Sequence, residues 1–368
     1  MNIKFLAPFK FSQRIVSNSR SFFSGRLENS RFKPRFIDPA VRGLRTGKHR
    51  LFLAQRDLLT QREARALLNT GDFKNRYRAL EKTFELPPLP TTKGVWAVAM
   101  VKNESDVLER SLRHLHTQGV ARILVVDNGS SDGTFELLQR LSRELPLSVG
   151  RDREPAYYQS EKMTYLTHRA QRVGATWVVP FDADEFWFGV EGTLAEVLST
   201  SKNTVEISQL YNLFPTASGD LVLDTTAHFD PKVCFKSWRS SVVTMGNHRV
   251  LRPGAQGTDR VVILHLPWRS RQQLQRKLMQ GAKALELTDL PEDLGYHWRK
   301  NGELSEKQLA DIWLNLIASR PMPINLAWQP RGSLYPLGSD IPQDAHSHRR
   351  SEERRVGKEC RSRWSPYH

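Results

Sequence analysis

Apolar residues follow two different rhythms along this chain, and the change between them comes near residue 90. From Leu51 to Leu68 the apolar positions Leu51, Leu53, Leu58, Leu59, Ala66 and Leu67 recur at helical spacing and predict an amphipathic helix. A second short helix is expected over 73–84, after which ELPPLPTTKG supplies three prolines and reads as a linker, with the main domain boundary at 86–93. Beyond it the pattern turns to short apolar runs alternating with helical stretches. VWAVAMV (95–101) predicts a buried strand, 104–119 a helix, ARILVVD (121–127) a strand and 133–141 a helix. A strand near 146–150, a helix over 160–173 and the strand TWVVPF (176–181) continue the series. Strands that alternate with helices of this length imply crossover units, a parallel sheet and an α/β fold. The segment 203–266 holds shorter β-like pieces, 270–285 and 303–319 look helical, and no internal repeat is visible.

Charge changes this picture only at the ends. The formal net charge is +16, yet residues 1–90 carry 19 Lys and Arg against 7 Asp and Glu, and residues 91–349 carry 30 against 29. The globular part is therefore near neutral, which argues against a nucleic-acid-binding core, and no specific nucleic-acid partner is expected. A basic arm over 1–48 is read as flexible, followed by a helical and proline-rich extension over 49–90. Residues 1–27 contain no acid, and that composition fits a transit peptide, a basic segment touching anionic lipid, or a solvated arm. The last 19 residues, RSEERRVGKECRSRWSPYH, match a one-frame translation of a sequencing adapter, so 350–368 are set apart from the fold and 331–349 form a C-terminal segment. Cys234 is then the lone cysteine, no disulfide framework exists, and a reducing, cytoplasmic setting is expected, with peripheral contact at the inner membrane face through the N-terminus.

Chemistry-bearing residues gather at the predicted strand ends, where ligands sit in parallel α/β sheets. The first strand ends in Lys102, Asn103 and Glu104, the second in DNGSSDGT from Asp127, and the fourth in FDADEF with Asp182, Asp184 and Glu185. Three carboxylates within four positions repel one another unless something positive offsets them. In an extended segment Asp182 and Asp184 point to the same side. Hard oxygen ligands of that kind suit Mn²⁺ or Mg²⁺, whose shell a substrate diphosphate completes.

The ordered set AMVKNESDVLERSLRHLHTQGVARILVVDNGSSDGT and TWVVPFDADEF resembles glycosyltransferase family 2, in its bacterial MVKNE…DNGS.DGT…DADEF branch. The likeness runs over about residues 95–300 and takes in GNH (246–248), HLPWRS (265–270) and GYHW (295–298). It implies a GT-A-like, Rossmann-like domain over 91–330, a nucleotide-sugar donor and a D-x-D metal motif. By the resemblance Glu104 and Asp127 meet the base or ribose, with Asn103 and Asn128 beside them, and Asp182 and Asp184 hold the diphosphate through the metal. His265, at another strand end, is a candidate third metal ligand, and His248 a weaker one. Arg269 and Lys277 are candidates for phosphate oxygens, and Trp177, Trp187, Trp268 and Trp298 for stacking or core packing. Inverting transfer needs a base, for which Glu185, Asp224 and Asp230 are open, with Glu185 and Asp230 preferred. The acceptor stays open among glycan, lipid-linked and protein hydroxyls. The alternatives are a metal-dependent phosphotransferase, because FDADEF resembles an aspartyl-phosphate motif, and a nucleic-acid binder acting through the basic arm.

Overall fold

The structure, a computed structural model, describes residues 39–291, 294–324 and 326–342, with side chains from residue 51 onward. The arm up to residue 38 and the stretch 350–368 lie outside the described residues. The chain divides into Met1–Ala54 and Gln55–His368. Helix α1 (Pro39–Asn69) is followed by α2 (Gly71–Thr83). Among the described residues no helix is long and apolar enough to cross a membrane. On α1, Leu58 and Leu59 are exposed, whereas Ala64, Leu67 and Leu68 meet Phe73 and Leu251. Of the predicted stripe, Leu51, Leu58, Leu59 and Ala66 are exposed and only Leu67 joins this contact, so the burying face is set by Ala64, Leu67 and Leu68 instead.

The sheet begins with β1 (Phe84–Glu85) and β2 (Gly94–Val101), so the proline-rich stretch connects two strands of one sheet. Then come α3 (Leu108–Thr117), β3 (Arg122–Asp127), α4 (Thr134–Leu141), β4 (Leu147–Asp152), α5 (Gln159–Arg172) and β5 (Ala175–Pro180). β4, β3, β2 and β5 lie side by side in that order and run parallel. The expected α/β, Rossmann-like arrangement is therefore present. β2 shows why: its alternate residues Val95, Ala97, Ala99 and Val101 pack with the leucines of α3 and α4, while Trp96 and Val98 pack with Met163 and Leu166 of α5. A strand buried on both faces has no polar side to show, so it reads as a continuous apolar run.

The chain fills positions outward from β2 to β4 and then crosses to the other side of β2 at β5. That reversal places a switch point between β2 and β5, the place where such sheets open a crevice at their carboxyl ends.

Past the switch the sheet becomes mixed. The remaining strands are β6 (Glu185–Gly189), β7 (Val205–Pro215), β8 (Leu221–Asp224), β9 (Lys232–Lys236), β10 (Val242–Val243), β11 (Val250–Leu251), β12 (Gln256–Gly257), β13 (Val261–His265) and β14 (Leu334–Gly338). β9 runs antiparallel between β5 and β7, β13 is parallel to β7, and β6 pairs antiparallel with β13. Helix α6 (Leu194–Ser199) starts from a Thr193–Glu196 capping box. Helices α7 (Arg271–Glu286), α8 (Tyr296–Asn301) and α9 (Glu306–Ile317) close the described chain's helical part. Ser270 caps α7 by accepting from the Gln273 amide at 3.1 Å. Leu274 and Leu278, one turn apart, then sink into a core with Phe214, Trp268 and Ile312. This anchoring fixes α7 and sets Lys277 against Asp184.

Candidate functional site

The loops after β2 and β3 are laced together by hydrogen bonds from backbone amides and hydroxyls. Asn103, in the left-handed region at φ 57°, donates its amide to Ser130 Oγ at 2.8 Å, and its side-chain oxygen accepts from the Ser131 amide at 2.7 Å. The Glu104 amide donates to Thr134 Oγ1 at 2.9 Å, and Asp132 accepts from the Ser105 hydroxyl at 2.9 Å. Asn103 thus shapes the loop, its side-chain oxygen already taken. The Glu104 carboxylate is paired with Arg269, which also binds Asp106 at 2.7 Å.

A cavity of about 370 Å³ lies at the ends of β3 and β4, lined by Lys102, Asp127, Asn128, Gly129, Arg151 and Asp152 among others. Asp127 is buried; its Oδ2 accepts from the Ser130 amide at 3.1 Å, while its buried Oδ1 has no donor. Asn128 donates to Asp152 Oδ2 at 2.8 Å and to the Glu154 carbonyl at 2.6 Å. Behind it Lys162 and Asp152 form a fully buried pair at 2.6 Å. The cavity wall is therefore polar and hydrogen-bonded, with the unpartnered Asp127 Oδ1 buried within it.

At the end of β5 the residues Asp182–Glu185 form a tight turn, in which the Glu185 amide donates to the Asp182 carbonyl at 3.0 Å. The extended geometry expected of Asp182 and Asp184 is absent, and the two carboxylates face different partners. Asp182 lies 2.5 Å from Lys232 Nζ and accepts from Asn247 Nδ2 at 3.1 Å. Asp184, 2 % exposed, pairs with Lys277 and has Arg269 at 3.6 Å and His265 at 3.5 Å. Burial works to raise its pKa, but Lys277, His265 and Arg269 hold it well below the usual carboxylate value. Glu185 is fully buried, 2.9 Å from Lys232, and accepts from the Trp187 indole and the Asp182 amide, each at 3.1 Å. Burial pushes its pKa up to about 7.

His265 is buried beside Asn212, 2.9 Å from Nδ1, and burial lowers its pKa. His248 turns Nδ1 to the Pro231 carbonyl at 2.9 Å, which leaves Nε2 as the accepting nitrogen, and burial lowers its pKa to about 4. Asp230 is half-buried on the loop before β9, within electrostatic reach of His248 and His297, and no side-chain donor among the described residues holds its carboxylate. Asp224 is buried and committed to the backbone amides of Thr226, Arg331 and Gly332. Trp268 and Trp298 pack around Trp328, and Trp187 and Trp177 are buried in the core.

The positive charge that offsets FDADEF is thus Lys232, Lys277 and Arg269. Lys232 escaped the sequence reading because it looks like the polar start of the strand KVCFK, fifty positions from its partner Asp182. The donor set does not fit the expected divalent ion. Three of the four oxygens of Asp182 and Asp184 already face a protein donor or ammonium, and His265 Nε2 lies 3.5 Å from the fourth. Among the described residues no three His, Cys, Asp or Glu side chains converge on one point.

No family model matches this sequence, and neither does any curated protein. Solved structures with some likeness include S. aureus TarS residues 1–349 with UDP, at 12% identity and TM-score 0.32 over 61% of this chain and 71% of that one. The same protein with UDP-GlcNAc gives 12% identity and TM-score 0.33 over 62% and 73%. HddC from Yersinia pseudotuberculosis gives 12% and 0.23 over 46% and 76%. Likeness this faint assigns no function; the geometry of the crevice carries the argument.

Proposed function

We propose that this chain transfers a glycosyl group from a nucleoside diphosphate sugar to an acceptor hydroxyl with inversion. The observation that supports this reading is the placement of two unlike sites at the carboxyl ends of strands of one sheet. A polar cavity beside the unpartnered Asp127 oxygen lies at β3 and β4, and a cluster of carboxylates and cations lies at the β2–β5 switch point. A nucleoside suits the cavity, where Asp127 accepts from a base or ribose donor. The diphosphate then runs past Lys102 toward Lys277 and Lys232.

In the chemical step the acceptor oxygen attacks the anomeric carbon, the bond to the diphosphate oxygen breaks, and the proton passes to a base. Asp230 suits that role, since its carboxylate is half-buried and free of side-chain donors. Glu185 is enclosed on both oxygens and acts instead by positioning Lys232. No step is routed through a metal ion, because the residues present do not fit one. Screening nucleoside diphosphate sugars for nucleotide release, with Asp127→Ala and Asp230→Asn as controls, tests the reading. Saturable release lost in both variants is expected; a protein that binds no nucleoside diphosphate at all sinks it.

A further inference from the structure

We propose that the Lys277 ammonium bridges the Asp184 carboxylate to the donor's diphosphate, in the position a divalent cation would otherwise hold. The inference rests on the nucleotide-sugar reading above. Three cationic or imidazole groups surround Asp184, and they differ in access. The side chains of Arg269 and His265 are 8% and 4% exposed, whereas Lys277 is 18% exposed. Lys277 is therefore the most exposed member of this shell.

The geometry leaves it able to bind a second anion. An ammonium has three N–H donors. Asp184 takes one, and no other acceptor among the described residues bonds to Lys277. Its Nζ also lies 5.9 Å from the Trp268 ring centroid and 5.4 Å from that of Trp328, so the aromatic wall holds the charge without using its hydrogen bonds. Arg269 is spent otherwise, on Glu104, Asp106 and the Leu266 carbonyl. Should Lys277 move outward onto a phosphate, Asp184 keeps Arg269 and His265, and no bare buried carboxylate results.

A bridging dication performs this same task by joining carboxylates to phosphate oxygens. Here it would have to displace protein donors from Asp182 and Asp184 and sit beside two ammonium groups. Like charges at such range oppose that arrangement.

The test is calorimetric titration of the full chain with UDP, GDP, CDP, ADP and TDP, in excess EDTA and then in excess Mn²⁺. The tightest binder is expected to keep its Kd within about twofold between the two conditions. Lys277→Met should raise that Kd by about tenfold or more while leaving the affinity for the corresponding free nucleoside unchanged, and Lys277→Arg should restore part of the loss. Binding that vanishes in EDTA and returns with Mn²⁺ overturns the proposal, as does a Lys277→Met protein that binds the diphosphate normally. If Lys277→Met does not fold, the wild-type metal comparison and Lys277→Arg still decide. If none of the five diphosphates binds in either condition, the donor reading itself falls and this inference falls with it.

Discussion

Two acid-rich loops flank the crevice, and they solve the same electrostatic problem in opposite ways. In DNGSSDGT the Asp132 carboxylate and one oxygen of Asp127 accept from backbone amides and hydroxyls of Ser130, Ser105 and Thr134, and Asp127 Oδ1 has no donor. Burial acts to raise the Asp132 pKa, yet the Thr134 and Ser105 donors hold it below the usual value. In FDADEF the carboxylates are matched by the ammonium groups of Lys232 and Lys277 and by Arg269. Neutral donors fixed to the backbone hold a shape, which suits a cavity that must fit a base. Ion pairs hold charge and can be shared with an incoming anion, which suits the end that receives a diphosphate.

The largest expected effect breaks the second loop. Asp184→Ala removes the acceptor shared by Lys277, Arg269 and His265, leaving the largely buried Lys277 without its carboxylate, and should cost about 3–5 kcal/mol in urea unfolding. The half-exposed Asp182 provides the internal contrast: Asp182→Asn should cost far less. Equal losses would show that the two carboxylates share one environment after all.

A second measurement addresses the first loop. Asp127→Ala should weaken nucleoside diphosphate binding by about 1.5–3 kcal/mol, through loss of a charge-assisted hydrogen bond at its free oxygen. An unchanged Kd in calorimetry would remove the residue from the cavity's function.

The pH dependence sharpens the contrast further. Glu185 ionises near 4.5 when unfolded and is raised to about 7 when folded, so the native state holds the extra proton between these values. Its contribution is therefore present below pH 4.5 and is lost as pH rises toward 7, by about 3 kcal/mol at most. His168 has the opposite sign. Burial lowers it to about 4, with Nε2 donating to the Ser241 carbonyl and Nδ1 accepting from Tyr77, so its contribution is lost as pH falls from 6.5 toward 4. The stability difference between wild type and Glu185→Gln, followed from pH 4.5 to 7, isolates the carboxyl. A flat difference curve would mean that Lys232 keeps Glu185 ionised throughout.

The smallest effect is expected away from both loops. Arg113 bridges Glu109 and Glu144 on an exposed helix surface, and Arg113→Ala should leave unfolding midpoints unchanged within error, because solvent screens such pairs. A clear loss there would show that surface charge contributes as much as the buried cluster.

The alternation of apolar runs with helical stretches determined the parallel half of the sheet, because a strand buried on both faces and a helix buried on one leave unmistakable local periods. β2, β3 and β5 appear within a residue or two of where the pattern puts them. It also placed Asp127 and the FDADEF carboxylates at strand ends, since polarity at the tip of an apolar run is itself local. What surrounds those carboxylates was decided only in three dimensions. Asp182 meets Lys232 fifty positions on, Asp184 meets Lys277 ninety-three on, and Glu104 meets Arg269 across 165. No local period encodes such pairs: they arise because β9 inserts beside β5 and because Leu274 and Leu278 anchor α7 over the switch point. The turn at Asp182–Glu185 is of the same kind. Its sequence is compatible with an extended strand, and it folds back because its two carboxylates find their counter-charges on different elements.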